Sequence, residues 1–147
     1  MSATAQTKTI VREIEIRAPA TKIFAALTDP DQVTAWWGSD ATYRCTRMER
    51  DLRVGGAWRT TGQSPDGKAF AVFGEYRVID PPYVLEYTWR HDWGDRPEET
   101  IVRYELDERD GRTYLRVIHS GFTDPASQAD HDDGWTRVLG WLQAFVE

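Results

Sequence analysis

The side chains best suited to acid–base or nucleophilic work near neutral pH are three histidines, one cysteine and a set of tyrosines. His119 ends a run, residues 113–120, in which Leu115, Val117 and His119 share one face. An inward imidazole there could act as a general acid or base, or as a donor that orients a ligand. The other reading is structural, at a strand end beside Gly121. His91-Asp92 and His131-Asp132-Asp133 place imidazole beside carboxylate, as metal ligands do. Neither has the i, i+4 histidine pair of a helical zinc site, so both are expected to be solvated and no metal is expected. Cys45 has no CxxC partner and no adjacent cationic pair with a clear geometry, so neither a disulfide nor a reactive thiol is expected. Gly55-Gly56 precedes an extended run and lacks a following Lys-Ser/Thr, which makes it a bend and not a phosphate loop. No nucleophile–base–orienter set is legible, so no catalytic residue and no cofactor is assigned.

Aromatic residues make up 12% of the chain, and seven are tryptophans. Such side chains fill a core or line a cavity for something apolar. Trp36 and Trp37 divide between these roles or share the first of them. Tyr76, Tyr87 and Tyr104 fall on inward strand faces, where a phenol needs a hydrogen-bond partner: another side chain, water or a ligand.

The elements that would position these groups follow from pattern. Residues 9–18 (TIVREIEIRA) alternate Ile14 and Ile16 against Glu13, Glu15 and Arg17, which is a half-buried strand. Pro19 opens a helix with Ile23, Phe24 and Leu27 on one face, and Asp29-Pro30 caps a second that Gly38 closes. From Tyr43 the chain reads as strands and turns. Strands are expected at 43–50, 57–61, 69–79, 84–91, 99–106 and 113–120. Turns fall at Ser64-Pro65-Asp66-Gly67, Asp80-Pro81-Pro82 and Asp110-Gly111. A polar loop is expected at 92–97. Asp124-Pro125 then caps a long helix whose apolar stripe holds Trp135, Val138, Leu139, Leu142, Phe145 and Val146. Gly134 within it is read as a point of close backbone approach.

The order β-α-α-β-β-β-β-β-β-α predicts an α+β fold. A seven-stranded curved antiparallel sheet wraps a long C-terminal helix, with two short helices after strand 1. Residues 1–8 read as a flexible tail and 9–147 as a single domain. The net charge of −6 argues against nucleic acid as a partner, and no apolar run reaches the length of a membrane span. The N-terminus lacks a secretory h-region. With the single cysteine, this points to the cytoplasm. An edge-stranded domain of this size is also compatible with a homodimer.

Four stretches carry a family resemblance: residues 19–28 with the paired Trp36-Trp37-Gly38; Asp51-Leu52-Arg53-Val54-Gly55-Gly56 before Trp58; Asp80-Pro81-Pro82 with Val84-Leu85 and Thr88-Trp89; and His119-Ser120-Gly121-Phe122 followed by Gly134-Trp135. The chain resembles the SRPBCC superfamily, also called START-like or Bet v 1-like. Within it, the resemblance is to the branch similar to the C-terminal domain of Aha-type activators of the heat-shock-protein-90 ATPase. Many relatives carry a proline after Trp-Trp-Gly where this chain has Ser39-Asp40, which leaves the cavity rim open to variation. The resemblance implies a helix-grip fold, on which one scaffold serves carriers, cyclases and co-chaperone domains.

Three functions are therefore carried forward. The first is binding of a small hydrophobic or amphipathic ligand between sheet and helix. The second is an enzyme of polyketide cyclase or hydrolase type in the same cavity. The third is a chaperone-stimulating domain, expected least, because the chain lacks the additional N-terminal domain of the eukaryotic activators. The expected ligand-binding residues are Trp37, Trp58, Tyr76, Tyr87, Trp89, Val102, Tyr104, Val117, His119, Trp135 and Val138.

Overall fold

A computed structural model describes residues 8–94 and 98–147. The expected tail, apart from Lys8, and the end of the expected 92–97 loop lie outside the described residues. Strand β1 (Thr9–Ile16) leads into helices α1 (Ala20–Thr28) and α2 (Pro30–Trp36). The Asp29 carboxylate accepts from the Asp31 N–H, with Pro30 in the first turn, as the sequence device requires. Strands β2 (Arg44–Arg50), β3 (Ala57–Gln63), β4 (Ala69–Asp80), β5 (Val84–His91), β6 (Thr100–Arg109) and β7 (Arg112–Ser120) follow, then helix α3 (Pro125–Val146). Asp124 caps α3 by accepting from the Ala126 N–H.

The strands form one antiparallel sheet in the order β1-β7-β6-β5-β4-β3-β2. This is the α+β helix-grip arrangement expected from the sequence: a meander of six strands with β1 added at its edge. Register shifts at Cys45/Arg47 and Tyr76/Val78 bend the sheet where β2 and β4 cross it. Between β2 and β3 the chain turns so tightly that a Cβ on Gly56 would lie 2.0 Å from the Asp51 carbonyl oxygen. Only glycine fits there.

Helix α3 buries Trp135, Val138, Leu139, Leu142 and Val146. Phe145, expected in the same stripe, is 40% exposed. At roughly 100° per residue it sits about 80° from the centre of that stripe, on its rim. Gly134 does not serve close approach either. A Cβ there would meet only the Arg137 guanidinium, 3.9 Å away.

The outer face of the sheet carries charge pairs such as Arg90–Glu99 and Arg103–Glu86. Arg90 and Glu99 are half exposed, so solvent screens the pair. Arg90→Ala should change the unfolding free energy by less than about 0.5 kcal/mol in a denaturant titration. A larger loss would mean that the outer face contributes more to stability than its exposure implies.

Candidate functional site

The inner face of the sheet is used in two ways. The helix comes closest to the sheet beside β1, and its Trp135 packs on Tyr104 of β6 and His119 of β7. Over β2 to β5 it stands off and leaves a cavity of about 610 Å³. That volume is within the range that holds a drug-sized molecule. Its wall is drawn from α1 and α2 (Leu27, Val33), β2 (Cys45, Met48), β3 (Trp58, Thr60), β4 (Phe70, Val72, Tyr76), β5 (Tyr87, Trp89) and α3 (Trp135, Val138).

Eight expected site residues line this cavity: Trp37, Trp58, Tyr76, Tyr87, Trp89, His119, Trp135 and Val138. Val102, Tyr104 and Val117 do not, which corrects the sequence expectation. All three are buried in the core beneath α3, and the Tyr104 ring meets Trp135 edge-on. Alternation along a strand places a residue on the inner face. It does not tell whether that part of the face is under the helix or beside it.

The paired tryptophans divide. Trp36 is buried and its indole N–H donates to the Ala26 carbonyl. Trp37 turns into the cavity wall, stacks on Trp89 at 6.3 Å and donates to the Tyr43 hydroxyl. Trp58 lies against Tyr87 at 4.8 Å and Trp89 at 5.7 Å. Its Nε1–H is buried with no acceptor among the described residues.

The three inward phenols differ. Tyr87 and Tyr104 bond to each other at 2.7 Å, and burial holds both well above the ordinary phenol range. Tyr76 makes no side-chain hydrogen bond among the described residues, and burial pushes it up to about 12. Cys45 is buried in the wall and is likewise pushed up to about 12, which keeps the thiol protonated.

His119 is fully committed to the structure. Trp135 Nε1–H donates to its Nδ1 at 3.1 Å, so its Nε2 carries the proton and donates to the Thr100 hydroxyl at 2.6 Å. Burial, with His131 and His91 nearby, lowers its pKa well below the ordinary value. With both nitrogens bonded internally, it has no lone pair or N–H to offer at the cavity surface.

His131 was expected in solvent and is not there. It lines the cavity, its Nε2 accepts from Trp89 Nε1–H at 3.2 Å, and its Nδ1–H donates to the Ser127 carbonyl at 2.8 Å. Its position four residues before Trp135, on the same helix face, was the sequence signal for this. His91 also departs from expectation. Its Nδ1–H donates to the Trp93 carbonyl, and its Nε2 is buried without a partner among the described residues. His91 and His119 lie 5.5 Å and 5.3 Å from His131, ring to ring, yet no group of three or more metal-ligating side chains converges among the described residues.

Sequence reasoning also missed the mouth. Tyr43 meets Phe70 and Trp141 edge-on, and Phe70 meets Trp93, so a row of rings borders the opening. At the Ser39-Asp40 departure, Ser39 bonds Thr42 and Asp40 pairs with Arg44, which holds the rim turn that presents Tyr43.

A curved antiparallel sheet gripping a C-terminal helix, with a cavity between them, defines a helix-grip domain. The family model described as activator of Hsp90 ATPase homolog 1-like protein matches residues 17–147, and the chain belongs to that family of the SRPBCC superfamily. Solved structures agree in fold. A Chromobacterium violaceum protein superposes with TM-score 0.84 at 25% identity, covering 95% of this chain and 97% of that one. A Mycobacterium smegmatis protein gives 0.80 at 24% identity, covering 97% and 93%. CalU16 from Micromonospora echinospora gives 0.71 at 23% identity, covering 95% and 76%. No curated protein matches the sequence. Among the described residues, no helix is long and apolar enough to cross a membrane.

Proposed function

We propose that this protein binds a small apolar or amphipathic molecule in the cavity between β2–β5 and α3. One observation carries the reading: a space of about 610 Å³ walled by Trp37, Trp58, Trp89 and Trp135. The wall rings are themselves largely buried, and an apolar guest that fills the hollow beside them gains about 25 cal/mol per Å² of its own apolar surface removed from water. A catalytic use of the same space is not favoured, because both nitrogens of His119 are occupied. A cytoplasmic setting accords with a lone, protonated thiol at Cys45.

Native mass spectrometry of freshly purified protein tests the proposal, followed by titration with the neutral fluorophore N-phenyl-1-naphthylamine. A retained small molecule, or saturable probe binding that Val72→Trp abolishes without loss of fold, is the expected result. Val72 is in the wall, so an indole there would occupy the space. A protein that retains nothing and takes up no probe would defeat the proposal.

A further inference from the structure

Six side-chain hydroxyls line the cavity, and four of them are already used within the protein. Thr42 bonds Ser39, Ser64 donates to Asp66, the Tyr43 hydroxyl accepts from Trp37 Nε1–H, and Tyr87 bonds Tyr104. The other two are Thr60 on β3 and Tyr76 on β4. Neither hydroxyl has a partner among the described residues, although the two residues are only 4% and 2% exposed.

Elsewhere in the core the same groups are satisfied. Thr28 donates to the Phe24 carbonyl, Thr113 donates to the Ala18 carbonyl, Thr88 accepts from the Glu75 N–H, and Thr100 meets His119. A buried hydroxyl without a partner is costly, so the two exceptions call for a reason. Neither oxygen is walled in by protein. The enclosed, unpaired polar atoms among the described residues are Trp58 Nε1 and His91 Nε2. What remains accessible of Thr60 and Tyr76 opens into the cavity that both line.

Sheet register spaces the two hydroxyls. Thr60 is paired with Val72, and Tyr76 lies four residues further along β4, roughly 13 Å of strand away. Between them Trp58 lines the cavity from β3, opposite Gly74, which adds no side chain. A flat ring system laid on that part of the wall has one hydroxyl towards each end. A bicyclic ring with an oxygen at each end, and a hydrogen bond of about 2.8 Å beyond either, spans a comparable length. Burial pushes Tyr76 up to about 12, so the phenol keeps its proton and can donate as well as accept.

We infer that the ligand is a flat, oxygenated ring compound whose hydroxyl or carbonyl groups, one near each end, are bonded by Tyr76 and Thr60. This rests on the binding proposed above and narrows it. A plain hydrocarbon of the same outline would shut both hydroxyls off from water and leave them unbonded, which counts against it.

Displacement of N-phenyl-1-naphthylamine by naphthalene and by 2,6-dihydroxynaphthalene separates the inference from the reading beneath it. The competitors share a ring system and differ by two hydroxyls, both uncharged at neutral pH. Wild-type protein should bind the diol at least about tenfold more tightly. Tyr76→Phe and Thr60→Val each keep the side chain's shape and remove one hydroxyl. Each should weaken the diol severalfold, and the double variant should bring the two competitors to parity. Naphthalene and the fluorophore should bind every variant as they bind wild type, which also reports an intact cavity. Neither substitution should lower the thermal midpoint, since neither hydroxyl is used internally. Equal competitors in wild type, a preference that survives the double variant, or a Tyr76→Phe destabilisation as large as that of Tyr104→Phe would overturn the oxygen contacts while leaving cavity binding in place. Failure of the fluorophore to bind wild type would overturn cavity binding and the inference together.

Discussion

Trp135→Ala will lower the unfolding free energy by about 3–5 kcal/mol. The side chain is 4% exposed and stands where three parts of the fold meet. Its ring packs edge-on to Tyr104 and His119 and lies tilted against Trp37 at 6.3 Å. Its N–H fixes the tautomer of His119. Alanine would enlarge the existing cavity towards the core, and the surroundings cannot collapse into it because the β6–β7 side is already close-packed. Trp135→Phe isolates the polar part. It keeps most of the ring and leaves His119 Nδ1 without its donor, at a cost of about 1–3 kcal/mol. Denaturant titrations of both variants measure the two losses. A loss below about 1 kcal/mol for Trp135→Ala would mean that the helix face was packed differently.

Stability will also fall steeply as pH drops below about 6.5, before the carboxylates titrate. The native pKa of His119 is well below the ordinary value and that of His131 is lowered, both chiefly by burial. In the unfolded chain each takes up a proton near pH 6.5; in the native state each resists it. The unfolded state therefore binds more protons, and stability is full above pH 6.5 and lost as pH falls towards the native values. Each group can contribute up to about 1.4 kcal/mol per pH unit. His131 feels His91 against its protonation, and Glu98 and Asp130 in favour of it, so its share is the smaller. Denaturant midpoints between pH 7.5 and 5 provide the measurement. A flat profile would refute it, and His131→Gln should remove only the smaller part of the slope.

The order of elements was legible because each carries its own signal. Asp-Pro caps start two helices, Gly- or Pro-containing turns separate the strands, and alternation assigns strand faces. Where alternation was confounded it still resolved correctly: Val72 and Tyr76 are the inward residues of β4. The site was only half legible, for a different reason. Strand parity is local, whereas the boundary between covered core and open cavity depends on where α3 crosses the sheet. Val102, Tyr104 and Val117 obey parity and still fall on the covered side. His131 and Arg137 were misread or passed over because a charged or titratable residue on a helix looks solvated in sequence. Their place at the mouth comes from the flank that α3 presents across β2–β5. Tyr43 opens the expected strand 43–50, whereas β2 begins at Arg44, so alternation along the strand did not place it at the mouth.

The wall of indoles has an optical consequence. Five of the seven tryptophans, Trp37, Trp58, Trp89, Trp93 and Trp135, border the same space. Trp37, Trp58, Trp89 and Trp135 are linked by ring-to-ring steps of 6.3 Å or less. At such separations excitation passes readily between rings, so the emission of the whole protein samples whatever enters the cavity. An absorbing guest would quench most of the intrinsic fluorescence at once, and the coupled transitions would change the near-ultraviolet circular dichroism. The protein therefore carries its own unlabelled reporter of occupancy, built from the side chains that form the wall.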